Sequence, residues 1–234
     1  MQKKLQQQIE RIKAKGATYV DARWYPYEET NQLVMWNSNL KDTTAARESG
    51  VGIRVLYKGA WGFSATSDLS NLDALFDKAF DNARIAAERV TFPIRLAEKD
   101  AIQASFTSPC QIDPFTVPLA EKVAFLKAMD DQLNQAGVAQ RVSGLSFVRK
   151  QIVFLDSEGS LIEKNITEAF PFLQVVGIDD QGNAHVRKYQ PALNNISRGW
   201  ETLDPALFTE NASRIVDELK SVLIAEPCPK EKRS

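Results

Sequence analysis

The sequence predicts an α/β (α+β) domain: a mixed sheet packed with helices, in two similar halves related by internal pseudo-symmetry. Three observations point there. Period-two apolar segments, the mark of half-buried strands, are interspersed with segments of helical period. Gln32-Leu-Val-Met-Trp-Asn-Ser38 aligns without gaps to Gln151-Ile-Val-Phe-Leu-Asp-Ser157, with Gln, Val and Ser identical. Each copy follows a helix and a strand, and each precedes a polar strand, a longer apolar strand, a hairpin and another helix. Two copies fall short of a solenoid and fit one internally repeated sheet.

The elements follow in order. Leu5, Ile9 and Ile12 form an apolar helical stripe that Gly16 ends. Glu48 to Leu69 then reads as a strand, a tight turn, a second strand and a helix start. Val51, Ile53, Val55 and Tyr57 alternate with Gly52, Arg54 and Leu56. Lys58-Gly59 supplies the turn, and Gly62 lets the return strand approach another element closely. Ser67 or Asp68 can cap the next helix, and Ser70 with Asp73 offers a capping-box-like start. That helix carries Leu72, Leu75, Phe76, Ala79, Phe80 and Ala83.

Val90 to Pro118 reads as an irregular connection broken by Pro93, Pro109 and Pro114. Within it, Thr91-Phe-Pro93 and Asp113-Pro-Phe115 look like extended packing segments. Pro118 begins a third helix with Val123, Leu126 and Leu133 on one side. Asp204-Pro205 opens a fourth as N-cap and first helical residue. Leu207, Phe208, Ala212, Ile215, Leu219 and Val222 follow it. Helices are expected over much of residues 69–87, 119–135 and 205–223, and their apolar faces pack most simply on a sheet.

Composition bounds the function. At 234 residues, 44% hydrophobic and 25% charged, the chain has the makeup of a globular domain with a substantial core. Its 29 basic and 30 acidic residues leave a net charge of −1, which argues against a broad nucleic-acid footprint. No apolar run approaches the roughly 20 residues of a membrane helix, and the N-terminus lacks a signal-peptide pattern. Cys110 and Cys228 have no zinc-like spacing. A cytoplasmic setting with free thiols is the simplest reading.

Little local chemistry stands out, and no catalytic or metal-ligating residue is assigned. Asp130-Asp131 reads as a solvated helix face, since adjacent helical residues point about 100° apart. Asp179-Asp180-Gln-Gly182 reads as a turn between strands 172–178 and 184–189. His185, the sole histidine, has no nucleophile or carboxylate to orient it locally. Ser64 lacks a nucleophile-elbow glycine. Trp24, Trp36, Trp61 and Trp200 read as core or interface packing, with Trp61 placed best to meet another domain or subunit.

The segment Glu48–Leu69 resembles the glycine-rich hairpin of the TldD/PmbA family, zinc-metallopeptidase-related proteins formerly called modulators of DNA gyrase. Tyr19-Val-Asp-Ala-Arg23 is similar to the family's first strand. Asp113-Pro-Phe115, Pro118, Glu121 and Lys122 are similar to its mid-domain segment. The hairpin residues that carry the resemblance are Gly50, Gly52, Arg54, Gly59, Trp61, Gly62 and Phe63, in a structural or interface role. The resemblance implies a non-catalytic N-terminal domain over residues 1–228, with halves at about 1–90 and 118–225. Residues 229–234 would begin a linker to a C-terminal domain. That domain would hold the family's His-Glu-x-x-x-His zinc motif, which nothing here matches. The implied function is to shape a peptide cleft and a dimer surface, with a homologous subunit and a peptide substrate as partners. The alternatives are a silent scaffold subunit and a gyrase-modulating interaction protein. Zinc is implied only for the missing domain, and neither a membrane nor direct nucleic-acid contact is expected.

Overall fold

The computed structural model describes residues 1–191 and 197–226. Among these residues four α-helices, α1 (Gln2–Ala14), α2 (Leu72–Ala87), α3 (Leu119–Leu133) and α4 (Pro205–Leu223), accompany seven strands. The strands are β1 (Tyr19–Trp36), β2 (Asn39–Tyr57), β3 (Ala60–Thr66), β4 (Gln103–Thr107), β5 (Gln140–Asp156), β6 (Leu161–Ile178) and β7 (Ala184–Tyr189). They form one mixed sheet in the order β3-β2-β1-β5-β6-β4, with β7 also pairing β6. The order α1-β1-β2-β3-α2 recurs as α3-β5-β6-β7-α4, with β4 between the two.

Two compact units divide the chain differently from the sequence halves. One comprises Met1–Glu29, Ala46–Ser108 and Arg149–Ile166; the other comprises Thr30–Ala45, Pro109–Val148 and Thr167–Ser234. Each long hairpin therefore lends its tip to the unit built on the other half's helices.

In the first unit, Leu5, Ile9 and Ile12 of α1 are fully buried. They share a core with Leu75, Phe76, Ala79 and Ala83 of α2 and with Val20, Val51, Ile53 and Val55 of the sheet. Val153 and Leu155 of β5 complete it. Each of the Leu, Ile, Val and Phe side chains among them stabilises the fold by about 1.5–3 kcal/mol. Gly16 follows the last turn of α1 at φ +96°, where a Cβ would be strained. The N-cap of α2 is Asn71, whose side chain accepts from the Ala74 amide at 3.1 Å. The expected caps upstream are corrected accordingly: Asp68 instead accepts from the Ser70 amide at 2.9 Å and turns the chain ahead of the helix.

In the second unit, Leu126, Met129 and Leu133 of α3 pack with Phe208, Ala212, Ile215 and Leu219 of α4. Leu33, Met35, Leu145, Phe147, Leu173 and Val175 supply the sheet side. Asp204 caps α4 by accepting from the Ala206 amide at 2.9 Å. Trp200 packs in this core, edge-on to Phe125.

Several expectations are corrected. Asp130 is not solvated: it is fully buried, accepting from Arg141 Nε at 2.8 Å and Ser38 Oγ at 2.9 Å. Only Asp131 faces solvent, paired with Lys127. Trp36 is 43% exposed, at the end of its strand. Phe92 is 85% exposed, and Pro93 packs over Gly59 in its place. The irregular connection contains β4, parallel to β6, whose five residues are all exposed and so carry no burial alternation to read. The ungapped match of Gln32 to Gln151 finds equivalent strands but is one residue out in face. Leu33 and Met35 are buried in β1, whereas Val153 and Leu155 are buried in β5. Cys228 lies outside the described residues.

Candidate functional site

Period-two geometry builds the candidate site within the first unit. Val20, Ala22, Val51, Ile53 and Val55 point into the helix-covered core. Their neighbours Asp21, Arg23, Tyr25, Gly50, Gly52 and Arg54 must therefore point to the opposite face. Gly52 pairs with Ala65 and Arg54 with Phe63 across the β2–β3 ladder. These residues, with Thr66 and Ser67, line a groove of about 560 Å³. Its floor is low because Gly50 and Gly52 leave a strip of β2 without side chains. Phe63, 58% exposed, leans across it: a Cβ on Gly52 would meet the Phe63 ring at 3.3 Å.

An adjoining cavity of about 430 Å³ shares Arg23 and Tyr25 and is otherwise lined by Ile152, Phe154, Ile162 and Lys164. The Arg23 guanidinium lies 5.8 Å from the centre of the Phe154 ring. Together the two hollows run from β2 and β3 across β1 and β5 to β6.

One wall of the groove is a polar cluster. Asp21, buried, accepts from Arg54 Nε at 3.0 Å and Nη2 at 2.7 Å. That side-chain hydrogen bond raises the Arg54 pKa further, against the opposing effect of burial. The Arg54 guanidinium also lies 5.2 Å from the Trp61 ring centre, and Tyr19 meets Trp61 edge-on at 5.9 Å. Burial, then Asp21 and Asp156, push the Tyr19 phenol well above the ordinary range. Tyr19 is therefore a neutral hydrogen-bonding and packing group here, with no phenolate character.

Asp156, fully buried, accepts from Lys99 Nζ at 2.7 Å and from the Ser160 and Glu158 amides at 2.9 and 3.0 Å. Burial, the largest influence, pushes its pKa up, but these hydrogen bonds together hold it below the usual carboxylate value. The cluster fixes strands and turns; none of its members is both reactive and open to the groove.

The hairpin residues singled out by sequence therefore divide. Gly50, Gly52, Arg54 and Phe63 line the groove. Trp61 lies outside its lining and packs edge-on to Tyr19 within the chain. Gly59 and Gly62 are structural: Gly59 adopts φ +81° in the turn, and a Cβ on Gly62 would lie 2.1 Å from the Ala79 carbonyl oxygen of α2. Asp21, Arg23, Tyr25, Phe154 and Lys164 were not singled out for the site. The alternation Tyr19-Asp21-Arg23-Tyr25 was readable, but only the fold places it beside Phe154 and Lys164.

His185 is oriented after all: its Nε2 lies 2.8 Å from Asp179 Oδ2. Asp179 also accepts from the Gln181 and Asn183 amides, as the turn reading requires, and Gly182 sits at φ +85°. Among the described residues no group of three or more His, Cys, Asp or Glu side chains is placed to hold a metal. The donor set that a zinc ion needs is thus not found among them. Among the described residues no helix is long and apolar enough to cross a membrane.

Residues 25–83 match the family model described as PmbA/TldA metallopeptidase domain 1, and residues 112–219 match the PmbA/TldA metallopeptidase central domain. A metalloprotease of Methanocaldococcus jannaschii is 26% identical over 97% of this chain and 49% of its own length. A metalloprotease of Methanothermobacter thermautotrophicus is 28% identical over 86% of this chain and 42% of its own. The chain thus spans about half the length of the relatives it matches.

Among solved structures, a proposed DNA-gyrase modulator of Thermotoga maritima superposes with a TM-score of 0.67 at 18% identity, covering 96% of this chain and 49% of that one. TldE of Thermococcus kodakarensis gives 0.55 at 14% identity, covering 91% and 47%. At such identities the structural likeness speaks for the fold.

Proposed function

The chain belongs to the PmbA/TldD metallopeptidase family, and from that premise we propose that it is the non-catalytic N-terminal domain of a TldD/PmbA-type zinc metallopeptidase. In this reading it holds an extended peptide in the groove over Gly50 and Gly52 and offers a surface to a homologous subunit, in the cytoplasm. Peptide hydrolysis by zinc-activated water is assigned to the remainder of the longer protein, and no catalytic step is derived for the residues described here.

The observation that carries the reading is the stripped strand. Two glycines at alternate positions of β2 bare the sheet where Phe63 and Tyr25 provide apolar walls and Arg23 provides donors. An extended chain can lie there with little side-chain obstruction, its apolar groups against the rings and its carbonyls toward the guanidinium.

Gly52→Trp tests this directly. A Cβ added at Gly52 meets the Phe63 ring and no backbone atom, so the backbone tolerates a side chain there. Calorimetric titration of the chain with an unfolded peptide mixture should detect binding that Gly52→Trp weakens at least ten-fold, with an unchanged circular dichroism spectrum. Equal binding by both proteins would place any peptide site elsewhere.

A second reading, a gyrase-modulating interaction protein, is favoured by the name of the Thermotoga maritima neighbour. Titration of purified gyrase into the chain distinguishes it, since only this reading expects a complex.

A further inference from the structure

We infer that the groove selects acidic peptide segments, with a carboxylate side chain held between Arg23 and Lys164 above Phe154; this rests on the peptide-groove reading above. The two cations differ from several others in the first unit. Arg54 is neutralised by Asp21, Lys99 by Asp156, and Arg11 and Lys15 by Asp77. Arg47 and Arg149 share Glu29. Arg23 and Lys164, both exposed, have neither hydrogen bond nor carboxylate partner among the described residues; Arg23 has only the Phe154 ring.

They border a hollow whose other lining is Tyr25, Ile152, Phe154 and Ile162. Its charge is therefore uncompensated positive over an apolar floor, the complement of a carboxylate flanked by apolar groups. A guanidinium already lying on an aromatic ring is pre-ordered, so less rotamer entropy is lost when a carboxylate arrives.

Charge along β1 and β2 gives the segment a direction. Glu28 and Glu48 stand beside Tyr25 and Gly50, so a carboxylate is repelled there and favoured toward β6. From β2 across β1 and β5 to β6 is three strand spacings, about 14 Å, the reach of about four extended residues. A tetrapeptide stretch thus spans from the bare glycines to Lys164.

Cations with aromatics on an open sheet face are also what single-stranded RNA binders present. The peptide is favoured because only two cations line this hollow, the Phe154 face is already covered by Arg23, and carboxylates flank the groove beside Tyr25 and Gly50.

The test is calorimetric titration of the whole chain with an N-acetylated, C-amidated hexapeptide holding two glutamates among valine and phenylalanine, and with its Glu→Gln counterpart. At low salt the acidic peptide should bind about ten-fold or more tighter. The gap should close in R23Q/K164Q, whose changes are at exposed positions, and at high ionic strength. Gly52→Trp should weaken both peptides.

Equal affinity for the two peptides, both still sensitive to Gly52→Trp, would overturn the acidic preference and leave the groove reading intact. Failure of both peptides to bind would remove the acidic preference and the groove reading together. A preference that survives in R23Q/K164Q, or tighter binding of an oligouridylate that those changes abolish, would also overturn the inference.

Discussion

Asp130 and Asp131 are neighbours with different physical roles. One position of rotation on α3 carries Asp130 into the second unit's interior and leaves Asp131 in water. Asp130 meets Arg141 and Ser38, and its Oδ1 has no hydrogen-bond partner. Its removal strands a guanidinium that is only 13% exposed. Asp130→Ala should therefore cost about 3–5 kcal/mol in urea denaturation. Asp131→Ala, which loses only an exposed pair with Lys127, should cost about 0.3–0.5 kcal/mol. Near-equal midpoints for the two variants would contradict the buried pairing.

Asp156 makes the matching pH prediction. Its folded pKa lies below the ordinary value of about 3.9, so its contribution is fully present above that value and fades as pH falls through the folded pKa. Lys99 titrates upward and keeps its charge throughout that range. Stability should thus be flat in this contribution from pH 7 to about 5 and decline below about 4. In Asp156→Asn the acid-side decline should be shallower.

At the scale of elements, the β2–β3 hairpin and α2 are locked by two glycines that act differently. Gly59 is required by its backbone, at φ +81° and with Pro93 occupying the space of a Cβ at 2.5 Å. Gly62 is required by proximity, since a Cβ there would lie 2.1 Å from the Ala79 oxygen and 2.3 Å from the Ala83 nitrogen. Neither obstacle is a flexible side chain, so α2 or the turn must move. Gly59→Val and Gly62→Val should each destabilise the chain by about 1–3 kcal/mol. Gly62→Val should also loosen α2, seen as faster amide exchange in Leu72–Ala87. Unchanged midpoints for both variants would refute the close packing.

At the scale of the whole molecule, the decisive property is how the donors for chemistry are spread. Among the described residues, the carboxylates that are buried already have cationic or amide partners, and the histidine is bound to Asp179. The untagged chain is expected to purify with far less than equimolar zinc by elemental analysis. Its treatment with a chelator should leave the melting temperature unchanged. Near-equimolar zinc with chelator-sensitive peptide cleavage would show that this chain does the chemistry itself.

The sequence by itself determined most of the element types and, for the helices, most of their bounds. Helical spacing from Leu72 to Ala83, the Asp204-Pro205 cap and the alternation from Val51 to Tyr57 are local signals, and local signals survive without a partner in view. The repeat was legible too, because both halves carry the same order of elements. Only the tertiary structure decided the rest. Burial of Asp130, the parallel pairing of exposed β4, and the one-residue difference in face between β1 and β5 depend on what lies across the sheet. The groove depends on it as well. Gly50 and Gly52 are ordinary strand glycines until β1 sets Arg23 and Tyr25 beside them and β5 and β6 bring Phe154 and Lys164. Residues more than 100 positions apart in sequence meet through strand order, and no local period in a single chain encodes that order.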